Sequence, residues 1–135
     1  MNTPIPICKC FLTCRQVTAD AKYQETCILG LSSHYEHHRF PASTTVGIFA
    51  RLASAHGRYD VEIQVQALDG NVVWREGPPE PWDMDDPLFT YDLKLNINLV
   101  FPAPGTYELV LLVNGQELAR ERFLARLRQP AGSQR

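Results

Sequence analysis

No surplus of basic residues marks this chain. Its 13 Lys and Arg stand against 15 Asp and Glu, for a formal charge of −2. A general nucleic-acid binder wants a basic field to neutralise phosphates, so no nucleic acid is expected among the partners. No apolar run is long enough to cross a bilayer, so no membrane is expected either. "MNTPIPICKC" has no basic segment followed by an apolar one, and no secretory leader is visible. The expected compartment is the cytoplasm, where the four cysteines stay as thiols.

Catalytic signatures are missing as well. The chain has no Gly-x-Ser-x-Gly elbow, no glycine loop that would cradle phosphate and no His-Glu-x-x-His. No segment shows a 3.6-residue apolar period, so helices are not expected. The reading is of a non-enzyme without a cofactor.

What is there is a period of two. In "YDVEIQVQAL", Tyr59, Val61, Ile63, Val65 and Ala67 alternate with polar residues, which sorts a strand into a buried and a wet face. Asp69-Gly70 suits a type I′ turn, and "NVVWRE" returns as its partner. "FTYDLKLNINL" repeats the pattern with Phe89, Tyr91, Leu93, Leu95, Ile97 and Leu99 on one face. Pro102 and Pro104 break that strand, since neither can donate a ladder hydrogen bond. Tyr107 to Val113 then runs to Asn114-Gly115, a second type I′ signal, and Gln116 to Leu127 returns antiparallel. In that last strand Leu118 and Phe123 have opposite parity, so a bulge near Arg120 to Arg122 or an exposed side chain is required. Pro104-Gly105-Thr106-Tyr107 resembles a tyrosine corner.

Earlier in the chain, Ile7–Val17 and Thr26–Leu31 read as strands around the polar turn "TADAKYQE", and Thr44–Leu52 as a third. The spacing predicts about eight strands in an antiparallel, immunoglobulin-like β-sandwich. A single domain is expected over residues 1–128, with a disordered tail at 129–135.

The layout resembles a bacterial family of small uncharacterised β-sandwich proteins, a domain of unknown function. The residues that carry the likeness are Cys14 or Cys10 in the first strand, "ILGL" at Ile28 to Leu31, Phe40-Pro41, the "FPAPGTYEL" re-entry and the "VNGQEL" hairpin. It covers residues 7 to 127. Arg15 follows Cys14 where the family often has an acid. The resemblance implies a fold and brings no activity.

Three constellations could carry chemistry. Cys8, Cys10 and Cys14 share parity with Leu12, which puts all three on one strand face. Alternate strand positions lie ~7 Å apart with parallel side chains, whereas zinc needs sulfurs converging at about 2.3 Å. Buried thiols acting as small hydrophobes fit better; a disulfide to Cys27 needs an oxidising compartment. "HYEHH" offers His34, His37 and His38 as metal ligands, in a segment expected to be a loop. "EGPPEPWDMDDP" offers Asp83, Asp85 and Asp86, with Glu80, as oxygen ligands for calcium. In the same loop Trp82, flanked by prolines, is suited either to anchoring a partner or to capping the open end of the sandwich.

The leading expectation is a protein-binding module, with Trp82, Asp83, Asp85 and Asp86 as the partner surface. Self-association through edge strands is a further possibility. The alternative is a Ca²⁺ or Zn²⁺ domain using Asp83, Asp85, Asp86, His34, His37 and His38. A small thiol-dependent enzyme ranks last.

Overall fold

A computed structural model describes residues 3–77 and 80–128. Among these there are eleven strands and no helix. They are β1 Ile7–Ala19, β2 Thr26–Leu31, β3 His34–His37, β4 Ala42–Ala53, β5 Gly57–Tyr59, β6 Val61–Ala67, β7 Val72–Glu76, β8 Trp82–Met84, β9 Tyr91–Phe101, β10 Gly105–Val113 and β11 Gln116–Leu127. The all-β expectation holds, with more strands than the eight anticipated. The tail at 129–135 lies outside the described residues.

Four strands form one sheet in the order β2-β1-β4-β9, and five form another in the order β3-β11-β10-β6-β7. The short β5 and β8 pair with each other. All pairings are antiparallel except β3 with β11, which is parallel. The alternation seen in the sequence fills one continuous core. Val46, Ile48, Ala50 and Leu52 of β4, with Leu99 and Phe101 of β9, supply it from the first sheet. Val61, Ile63 and Val65 of β6, with Tyr107, Leu109 and Leu111 of β10, supply it from the second.

The first sheet is curled. The register of β1 against β4 ends at Cys14 opposite Gly47, while β4 stays paired with β9 down to Ala42 opposite Phe101. Beyond that point the Asn96 amide takes over the ladder's work. Its Nδ2 donates to the Val17 carbonyl at 2.8 Å, and its Oδ1 accepts from the Val17 N–H at 2.8 Å. An amide side chain offers the same donor and acceptor as a peptide unit, so both backbone groups of Val17 are satisfied. β1 and β9, the two neighbours of β4, thus meet across Gly47. On this far face Cys14, Val17 and Phe49 bury one another in a second small cluster.

One of the two hairpin turns differs from expectation in type. Asn114 and Gly115 both have positive φ, 52° and 78°, as a type I′ turn requires. At Asp69-Gly70 only Gly70 does, at 93°. Its N–H bonds the Ala67 carbonyl at 2.9 Å and the Ala67 N–H bonds the Asn71 carbonyl at 2.8 Å. This is a three-residue loop closed by a left-handed glycine. The bulge required in β11 sits at Leu118, not at Arg120 to Arg122: Leu111 pairs with Ala119 but Leu112 with Glu117. The tyrosine corner is present. Tyr107 is buried and its hydroxyl donates to the Ala103 carbonyl at 2.5 Å.

Candidate functional site

Trp82, Asp83, Asp85 and Asp86 lie at one end of the molecule, where β8 runs beside β5. Met84 points inward and is fully buried, which fixes the alternation: Asp83 and Asp85 face solvent. Trp82 is half-buried against the core and meets the Tyr91 ring edge-on, with centroids 6.2 Å apart. Asp83 pairs with Arg58 at 2.8 Å. Asp85 uses its carbonyl, which accepts from His56 Nδ1 at 2.8 Å, so that ring nitrogen carries the proton.

Asp86 organises the turn that follows. Its Oδ1 accepts from the Leu88 N–H at 2.9 Å and its carbonyl accepts from the Phe89 N–H at 3.2 Å. Its own N–H donates to the Tyr91 hydroxyl at 3.0 Å. Asp at the first position and Pro87 at the second suit a type I turn. The turn carries two large apolar side chains into water. Leu88 is 92% exposed and Phe89 64%. Phe89 was expected on the buried face of β9, but that strand begins only at Tyr91. The Asp86-Pro87 pair is the signal in the sequence that ends the alternation there.

The three aspartates therefore do not converge. Asp83 is held by an arginine, Asp85 contributes a backbone oxygen, and Asp86 is spent on its own turn. "HYEHH" is a strand rather than a loop. Tyr35 is buried and His37 half-buried, while His34, Glu36 and His38 face solvent. His34 and His37 thus leave opposite faces of β3. Among the described residues no three His, Cys, Asp or Glu side chains are placed to hold a metal ion.

The cysteines are free thiols. They do not share one face, because a bulge between Cys8 and Cys10 shifts the register. Cys8 packs toward the main core, whereas Cys10 and Cys14 belong to the far cluster. Desolvation pushes both the Cys8 and the Cys14 thiol up from the ordinary value. A raised thiol carries less thiolate and is a poorer nucleophile. The Tyr35 hydroxyl, also pushed up by burial, donates to the Cys14 carbonyl at 3.2 Å.

A family model described as "Family of unknown function (DUF6941)" matches residues 9–126. No curated protein matches the chain. Among solved structures it is similar to the Pseudomonas fluorescens alkylpurine DNA glycosylase AlkC bound to DNA containing an abasic site analog. That similarity has 12% identity and a TM-score of 0.46, over 70% of this chain and 27% of that one. It argues no activity here. That solved structure holds DNA, which stands against the expectation of no nucleic acid among the partners; at this TM-score the likeness itself argues nothing about what this chain binds.

Proposed function

The chain belongs to this family of unknown function, and from its own residues we propose a non-enzymatic interaction module that docks a partner protein through the Leu88–Phe89 turn. The carrying observation is that two large apolar side chains project into solvent from a turn already fixed by Asp86 and Tyr91. Ordering a loop on binding costs free energy, and a preorganised turn avoids much of that cost. Trp82 and Tyr91 stiffen the base of the turn. Asp85 and Asp86 beside it favour a partner whose apolar pocket has a basic rim.

No helix among the described residues is long and apolar enough to cross a membrane. The four free thiols support a reducing, cytoplasmic setting for this module. The tyrosine corner and the core shared by two sheets support an immunoglobulin-like sandwich as its frame, with the curl at Gly47 as the departure from it.

Leu88→Ser with Phe89→Ser tests the reading. Each buried apolar side chain is worth about 1.5–3 kcal/mol, so the double variant loses its partner by 100-fold or more, roughly. Its melting temperature stays that of the parent, since neither side chain is in the core. Quantitative affinity capture with both proteins reads the difference, and equal recovery of every bound protein would sink the proposal.

A further inference from the structure

The geometry points to a second site, for a small organic anion bearing a phosphate or carboxylate group, in the cleft beside β3. This cleft has a volume of about 470 Å³ and opens where β3 faces Arg15 of β1 and Thr44 and Thr45 of β4. That size falls in the range of small-molecule sites, roughly 300–1,000 Å³. It is independent of the Leu88–Phe89 turn.

Hydrogen-bond donors dominate its walls. Arg15 has no carboxylate within salt-bridge distance among the described residues. Its stem, though the residue is exposed, has a fixed seat. The aliphatic stem lies directly on Gly30, whose φ is +65°; a Cβ there would fall 2.7 Å from Arg15 Cδ. Gly30 is thus both the residue that tolerates this backbone and the one that leaves room for the stem. Arg128, on the opposite wall, has only a long pairing with Glu36, Nε to Oε2 at 3.8 Å. Two guanidinium groups against one carboxylate leave the cleft a net positive charge. Arginine presents a planar fork of donors that matches carboxylate and phosphate oxygens.

His37 anchors the strand that forms one wall. Its ring packs against Phe40 and Phe101, with centroids 6.0 Å and 6.4 Å away, so its orientation is set by the core. Its Nε2 is buried and has no hydrogen-bond partner among the described residues. That nitrogen is closed to solvent, so His37 holds β3 against the core, and recognition in the cleft rests on Arg15 and Arg128. Thr44 and Thr45, adjacent in β4, also line the cleft.

The test is titration of the full chain with inorganic phosphate and, separately, citrate, in a low-salt buffer with chloride as the control anion. Nuclear magnetic resonance follows the signals of His34, His37, Thr44 and Thr45. The expected result is saturable shifts confined to those residues, with the tighter of the two anions identifying the group preferred. Arg15→Gln keeps most of the stem on Gly30 and removes the charge. It should weaken binding about tenfold or more, as expected for losing a charged hydrogen-bond donor, without a change in melting temperature. Arg128→Gln gives a second reading should the first variant fold poorly. Arg75→Gln, whose parent side chain pairs with Glu62 elsewhere, should bind like the parent. Shifts that never saturate, or that spread over every basic residue, overturn the inference. So does undiminished binding by a folded Arg15→Gln.

Discussion

Gly47→Ala puts the curl of the first sheet to the test. Gly47 does not have a left-handed φ, so the question is one of space alone. A Cβ at this position would lie 2.7 Å from Cys14 Sγ, 3.0 Å from the Val17 nitrogen and 3.1 Å from the Gln16 carbonyl carbon. Two of these three are backbone atoms, so a rotamer change relieves only the sulfur contact. β1 must lift, and lifting it stretches both bonds between Asn96 and Val17, which are 2.8 Å each at rest. Overpacking of this kind costs about 1–3 kcal/mol, and each hydrogen bond lost adds about 1 kcal/mol. The expected destabilisation is about 2–5 kcal/mol, a large share of a typical domain's total. For a chain of this length it lowers the melting temperature by roughly 10 °C or more. Urea denaturation reads it directly. Asn96→Ala removes the same bridge from the other side, so the two substitutions together should cost less than their sum. A Gly47→Ala protein within about 0.5 kcal/mol of the parent, or strict additivity with Asn96→Ala, would refute the reasoning.

Tyr107→Phe removes the hydroxyl that bonds the Ala103 carbonyl and should cost about 1–2 kcal/mol, read as a lower urea midpoint with an unchanged slope; no shift in midpoint argues against a tyrosine corner that contributes to stability. Arg51 donates to Asp92 at 2.8 Å and 2.9 Å and holds its carboxyl below the ordinary value of 3.8. A lowered carboxylate stabilises the fold above that ordinary value and loses the contribution as pH falls through the folded one. Asp92→Asn should therefore be less stable than the parent near neutrality. The deficit is at most about 1 kcal/mol because Arg51 is exposed and the pair is screened. The gap should close in strong acid, and denaturation curves at both ends of the pH range would show it; a gap that widens in acid contradicts the assignment.

The regular strands were legible because one buried face imposes strict alternation. Val61, Ile63 and Val65 announced β6, and Asn114-Gly115 announced the hairpin from β10 to β11. The strand at His34–His37 was not legible. It is short, buries little beyond Tyr35, and pairs with Leu124 to Leu127 at the other end of the sequence. No local pattern encodes so distant a neighbour. The cysteine face was misread for a different reason. One extra residue between Cys8 and Cys10 inverts every later side chain, and a bulge leaves no compositional mark in a run of mixed residues. Phe89 followed the alternation on paper, and only the Asp86-Pro87 turn before it removes it from the strand. Of the candidate sites, the sequence singled out the loop through Trp82, while the exposure of Leu88 and Phe89 beyond it shows only once the Asp86 turn is formed. The cleft beside β3 draws on β1, β3, β4 and the residue after β11, a gathering that exists only once the sheets have formed.

The parallel pairing of β3 with β11 also orders events during synthesis. Every other strand in the second sheet has its neighbour close by in translation or waits only for β10. The His34–His37 segment must wait until Leu127 has cleared the ribosome before it has a backbone to hydrogen-bond. The positively charged cleft is therefore the last part of the molecule to be assembled, and a nascent chain stalled short of β11 would carry the apolar turn at Leu88–Phe89 but no finished pocket beside Arg15.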